Sequence, residues 1–240
     1  AVTQAITVNV TDRAEDGTSS NLFDVVEEPT TTVTTDPTDY ELGMRFTANA
    51  AGSITELRYF RGAADASDTD TRVLNLWNAA GGLLGSVTVI STAGESGWQV
   101  GALPTPIAIA AGATYVVSYG TTQNYAANAN YFATPHSGPD GVLTAGVSSG
   151  VFAAGTPGVF PTATINATNY WADVTFVAGP EPAVLSSATV GLSETDAALT
   201  TGGTLTISDV DSPATFVAQA GTAGSYGTFT IDAAGVWSYT

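Results

Sequence analysis

The sequence predicts an all-β chain built around an antiparallel β-sandwich. Apolar segments are short, rich in β-branched and aromatic residues, and bounded by Gly, Asn, Asp, Pro or Ser, which is the strand-and-turn pattern. Helical periodicity is hard to find, and Gly, Ala, Thr, Ser and Val dominate the composition. A length of 240 residues allows one or two domains and a sizeable core.

The elements follow in order. ITVNV at 6–10 alternates as a half-buried strand does, so residues 1–12 read as the terminal strand of a preceding β-module. Residues 13–21, with Glu15, Asp16, Gly17 and a run of serines, read as an acidic linker. Residues 22–177 read as one continuous sandwich of jelly-roll or immunoglobulin-like layout. Its predicted strands cover 41–48, 53–61, 72–78, 83–90, 97–103, 114–120 and 170–177. Residues 79–82 (AAGG) lie between two apolar runs and predict a hairpin turn. Pro104 and Pro106 belong on an edge or irregular strand, because proline cannot donate to a ladder.

Residues 125–131 (YAANANY) offer a short helical turn or plain loop, and residues 134–162, rich in Gly, Pro and Ser, read as a long surface excursion. GPEP marks a linker over residues 178–182, since two prolines and a glycine break any strand. From residue 183 to 240 alternation returns, in a stretch too short to make a stable sandwich alone.

The charge balance is extreme. No lysine is present, and the five positive charges are Arg13, Arg45, Arg58, Arg61 and Arg72, against 22 carboxylates and a net charge of −17. Such a surface repels phosphate backbones and anionic lipid, so neither nucleic-acid binding nor membrane insertion is expected. It attracts Ca²⁺, a hard cation that takes oxygen ligands; the plainer reading is that acidity keeps an exported protein soluble. Cysteine is absent, which removes disulfides and thiolate metal sites. No apolar run reaches membrane-spanning length, and no signal pattern opens the sequence, so an export signal is expected outside it.

Particular motifs carry resemblances. LSETDAALTTGGTLTISDVD (192–211), YGTFTIDAAGVWSYT (226–240) and Phe216 resemble the first part of the VCBS-type repeat found in tandem in large bacterial adhesins and RTX-type secreted proteins. TQAITVNV (3–10) is similar to that repeat's closing strand. The resemblance implies a partial immunoglobulin- or cadherin-like β-domain over residues 183–240 that extends and stiffens a fibre. YELGMRFTANAAGSITELRYFRGAA (40–64), LWNAAGGLLGSVTV (76–89), SGWQVGAL (96–103), ATYVVSYG (113–120) and ATNYWADVTF (167–176) are similar to a bacterial extracellular domain family of unknown function. That family accompanies adhesin, cadherin-like and carbohydrate-active modules, so it implies context without a mechanism.

Candidate site residues fall into separate chemistries. For calcium, Asp209 and Asp211 sit two apart, as do Glu194 and Asp196, which puts each pair on one face of a strand. Asp12, Glu15, Asp16 and Glu181 lie where an array would hold ions between modules, and paired carboxylates with backbone carbonyls supply the oxygens Ca²⁺ takes. Solvated turn acids are the plain alternative. Asp65, Asp68 and Asp70 form a further acidic cluster that lacks the glycine and closing glutamate of an EF-hand and reads rather as a solvated loop.

For carbohydrate, Trp98, Tyr125, Tyr131, Asn124 and Asn128 supply aromatic faces and amides, whereas Trp77 and Trp171 are expected in the core. For catalysis, His136, Ser137 and Asp140 are close in sequence, but a glycine- and proline-rich loop is a poor scaffold for a triad, so no catalytic residue is expected.

The sequence therefore predicts a non-catalytic, calcium-stiffened segment of a large extracellular bacterial adhesin or surface filament protein, located outside the cell or on its surface. The alternative is a carbohydrate-binding module that grips cell-surface glycan or polysaccharide. Its partners would be neighbouring β-modules of the same protein or fibre. Residues 1–12 could also complete a tail like 183–240 on another subunit by strand addition, giving a head-to-tail fibre.

Overall fold

The computed structural model describes residues 19–33, 36–67, 69–122, 124–179, 183–193, 195–209 and 214–240. They fall into two compact units, within Gly17–Gly179 and within Pro180–Thr240.

The strands of the first unit are β1 Ser19–Ser20, β2 Thr32–Val33, β3 Tyr40–Ala48, β4 Gly52–Arg61, β5 Asp70–Asn78, β6 Leu83–Ser91 and β7 Gly97–Ile109. They continue with β8 Thr114–Thr121, β9 Tyr125–Ala126, β10 His136–Ser137, β11 Leu143–Ala145, β12 Gly150–Ala154 and β13 Ala172–Ala178. Among the described residues, helix is limited to single 3-10 turns at Ala63–Asp65 and Tyr131–Ala133, and no helix is long and apolar enough to cross a membrane. A four-stranded antiparallel sheet runs β1-β13-β4-β7, and a seven-stranded one runs β10-β11-β3-β8-β5-β6 with β12 also paired to β3.

The two sheets share one core. Leu42, Met44 and Phe46 of β3, Leu74 and Leu76 of β5, and Val117 and Tyr119 of β8 line it from the larger sheet. Ile54, Leu57 and Tyr59 of β4, Leu103 and Ile109 of β7, and Val174 and Phe176 of β13 line it from the smaller one. Period-2 alternation explains the choice of face. The exception, Ile54 to Leu57, is resolved by a bulge between Ile54 and Glu56 that returns Leu57 to the core face. At one side of the sandwich β6 and β7 come together: a Cβ on Gly101 would stand 2.8 Å from Val87 and Val89, so only glycine permits the approach.

The strands predicted within residues 22–177 and the hairpin are present, whereas the terminal strand read at residues 1–12 lies outside the described residues. Asn78 Oδ1 accepts from the N–H groups of Ala80 and Gly82, and Gly81 takes φ 85°. Pro104 and Pro106 lie on the free edge of β7, inside the register shift opposite Thr55. Three segments differ from expectation. Residues 134–162 carry β10, β11 and β12, and the last two pair with β3 rather than wandering over the surface. Within residues 125–131 only Tyr125–Ala126 form a strand, paired with β2, and a 3-10 turn begins at Tyr131. Ser19 and Ser20, read as linker, already pair with β13.

The second unit holds β14 Val184–Leu185, β15 Thr201–Thr204, β16 Ile207–Ser208, β17 Gln219–Ala223, β18 Thr228–Ile231 and β19 Val236–Tyr239. β15-β19-β18-β17 form one antiparallel sheet, and β14 pairs with β16. Its buried core is small: Phe216, Phe229 and Ile231, with Leu205, Ile207, Trp237 and Tyr239 packed against them. Val184 and Val217 stay 68% and 62% exposed, so much apolar surface of this unit remains in water.

Candidate functional site

On the outer face of the four-stranded sheet an irregular segment is locked down by a buried ion pair. Asp173 of β13 and Arg58 of β4 are cross-strand partners, and their side chains meet at 2.6 Å. Asp173 also accepts the N–H groups of Leu22 and Phe23, each at 3.1 Å. Arg58 donates to the Phe23 carbonyl at 2.5 Å and lies 4.2 Å over the Trp98 ring. A buried pair is tolerated when its remaining polar capacity is filled, and here it is filled by the backbone of 22–23. Phe23 is thereby held fully buried in a segment that has no sheet partner.

Phe23 is the hub of an aromatic cluster. Its ring lies 5.9 Å from Trp98, 5.8 Å from Tyr131 and 5.2 Å from Trp171. Trp171 takes φ 55°, a left-handed conformation that is rare for a bulky side chain. Three contacts hold it there. Its N–H donates to Asn169 Oδ1 at 2.8 Å, its carbonyl accepts from Phe60 N–H at 2.9 Å, and its Nε1 donates to Asn128 Oδ1 at 2.8 Å. Backbone outliers of this kind cluster at functional sites, where surrounding structure over-determines them.

The rim of the cluster is partly buried and acidic. Trp98 and Tyr131 are partly buried, and Tyr131 Oη donates to Glu27 Oε1 at 2.9 Å. Burial pushes the Tyr131 phenol well above its usual range, and the bond to Glu27 pushes it further, so the hydroxyl stays a donor. His136 Nε2 lies 3.2 Å from the Leu22 carbonyl, and its ring sits 5.3 Å from that of Phe23. Beside the cluster lies a shallow, open groove of about 200 Å³ lined by Ser20, Asn21, Phe23, Asp24 and Asp140, among others. Its polar groups are oxygens and an amide, with Ser20 Oγ donating to Asp140 Oδ2 at 2.5 Å.

Residues 26–172 match the family described as Domain of unknown function (DUF4082), more than half of the 240 residues. The chain belongs to that family. No curated protein matches the chain. The DUF4082 span includes Glu27, Arg58, Trp98, Tyr131 and Trp171 and stops short of Asp173, while Phe23 precedes it.

Within the DUF4082 domain the predicted carbohydrate residues divide. Trp98, Tyr131 and Asn128 gather at the Phe23–Trp171 cluster, Asn128 through its bonds to Trp171 and to Thr30. Tyr125 belongs to a different aromatic group, with Tyr40 at 5.8 Å and Tyr170 at 6.4 Å, and donates to Asp36. Asn124 contributes its carbonyl to Arg72. Trp171 is core, as expected, and Trp77 is buried in a separate small cluster with Val116, Val151 and Phe160. Phe23, Glu27, Arg58 and Asp173 were not singled out. The available signal was Asp173, the one charged residue of β13; Arg58 shares β4 with Glu56 and Arg61 and does not stand out there.

One acidic cluster differs from expectation. Asp65 and Asp70 do not form a solvated loop: both are ion-paired to Arg72, Asp65 at 2.7 Å in buried surroundings, and Asp68 lies outside the described residues. Of the calcium set, Asp196 is exposed and Asp209 half-buried, whereas Asp12, Glu15, Asp16, Glu181, Glu194 and Asp211 lie outside the described residues. Among the described residues no three carboxylate or histidine groups converge as a metal site. Asp140 accepts from Ser20 and from the N–H of Val142, and Ser137 is exposed on β10. His136 and Asp140 are thus engaged with different partners, and among the described residues no hydrogen bond joins either side chain to Ser137.

Proposed function

We propose that the DUF4082 domain is the gripping module of an exported bacterial adhesive protein. It would bind polysaccharide or cell-surface glycan through Trp98 and Tyr131, without catalysing a reaction. One observation carries this reading: two partly buried aromatic rings stand on a rigid base of Phe23 and Trp171, beside Glu27 and an oxygen-lined groove. C–H-rich sugar faces stack on such rings while carboxylates and amides accept hydroxyl protons. The base is rigid because the Asp173–Arg58 pair and the three Trp171 contacts fix it, which limits the ordering cost of binding.

Affinity electrophoresis through gels containing soluble polysaccharides tests the proposal. The native chain should be retarded by at least one neutral polymer, and Tyr131→Ala or Trp98→Ala should weaken that retardation roughly tenfold, the size of one stacking contact. A folded native chain that runs unretarded through a broad panel removes the glycan reading.

A second observation favours placement in an array. The unit over 180–240 leaves Val184, Leu185, Val190, Leu192 and Val217 exposed around a core of few residues. Exposed apolar side chains around so small a core suit burial against further strands, and we infer a setting of neighbouring β-modules stiffened by calcium.

A further inference from the structure

The seven-stranded sheet ends at β6, and among the described residues no strand pairs with the far side of it. Edge strands are commonly blunted by proline, charge or a bulge. The four-stranded sheet follows that rule, since its edge strand β7 carries Pro104 and Pro106. β6 is blunted only at its start, where the register slips and leaves Leu84 without a partner on β5. From Gly85 to Ser91 it runs in unbroken register with β5 and contains neither proline nor a charged residue.

The two faces of this stretch differ. Val87 and Val89 turn toward the core, where they pack at the close approach of Gly101. Ser86, Thr88 and Ile90 turn outward and are exposed, Ile90 by 67%. Val73 of β5, opposite Thr88, is 45% exposed beside them.

Charge decides what suits this edge. A chain of net charge −17 repels its own copies wherever carboxylates would meet. Residues 73–94 carry no charged side chain, and Asp70 at the start of β5 is already ion-paired to Arg72. A second copy approaching here therefore brings no unpaired carboxylates together.

We propose that β6 pairs antiparallel with β6 of a second copy about a two-fold axis at Thr88, joining two seven-stranded sheets into one. Full overlap of the regular stretch sets this register. Val87 then faces Val89 of the second copy, Ser86 faces Ile90, and Thr88 faces its own equivalent, a favourable cross-strand pair. The contact is self-complementary and closes after two copies, as an isologous interface does. Glu95, the first acid beyond β6, falls opposite the uncharged 79–82 turn of the second copy. Parallel pairing would set the two Glu95 side chains together. The new ladder supplies about six to eight backbone hydrogen bonds.

Sedimentation equilibrium of the whole chain at rising concentration should show a dimer and nothing larger. Thr88→Glu sets two carboxylates face to face on the axis and should weaken the dimer roughly tenfold or more. Thr71→Glu, exposed on β5 and of the same net charge, should leave it unchanged. The chain has no cysteine, so a single introduced one reports its own neighbour. Directly opposed strand residues stand about 4.5–5.5 Å apart between Cα atoms, within disulfide reach. Mild oxidation should therefore trap Thr88→Cys as a linked dimer and leave Thr71→Cys unlinked. A chain monomeric at every concentration, open-ended association, a dimer indifferent to Thr88→Glu, or equal linking of both cysteine variants overturns the proposal.

Discussion

Asp173 does at one position what a strand would do over several. Its two oxygens hold the backbone of Leu22 and Phe23, and its ion pair keeps Arg58 in reach of the Phe23 carbonyl and the Trp98 ring. Asp173→Ala should therefore destabilise the domain by about 3–5 kcal/mol, because it leaves the Arg58 charge buried without a partner. Urea unfolding followed by tryptophan fluorescence measures this; a loss under about 1 kcal/mol would mean that water replaces the carboxylate. Side-chain type pointed to Trp98, Tyr131 and Asn128 from the sequence alone, because aromatic and amide residues carry their chemistry with them. Phe23 was not legible in the same way. What makes it the hub is a contact with Asp173, 150 residues away, and no local period encodes such a separation.

At the level of strands, pattern reading located the long elements of the sandwich closely, because each alternates against a shared core. It failed for β11 and β12. LTA and GVFAA are short and poor in alternation, and they are strands because β3 offers them an open ladder of backbone groups. The prolines of β7 were legible for the opposite reason, since proline excludes the interior of a sheet. Pro104 and Pro106 interrupt the hydrogen-bonding edge of a 13-residue strand that would otherwise be a template for pairing. Replacing both by valine should leave the melting temperature nearly unchanged and raise aggregation, seen as faster growth of light scattering on mild heating. Equal scattering in wild type and variant would show that the edge is protected by something else.

For the molecule as a whole, charge is segregated by sign. Arg58, Arg61 and Arg72 are buried, Arg45 is engaged with a carbonyl, and most of the 22 carboxylates have no arginine to meet. A surface of net charge −17 repels itself, and a bound divalent cation would relieve that repulsion. If calcium stiffens the array as proposed, EGTA should lower the melting temperature, with the larger drop in the transition of residues 180–240. Calorimetry with and without chelator separates the outcomes, and superimposable traces would remove calcium from the account.

The inward placement of the arginines has a consequence outside binding and stability. Trypsin-like proteases require an arginine or lysine side chain that can leave the protein and enter a narrow acidic pocket. The chain has no lysine, and the four described arginines sit on β3, β4 and β5 with their guanidinium groups already in use. The folded domain should therefore outlast basic-specific digestion in surroundings where secreted proteases are abundant, while enzymes that cut beside small or aromatic residues remain free to attack its exposed loops.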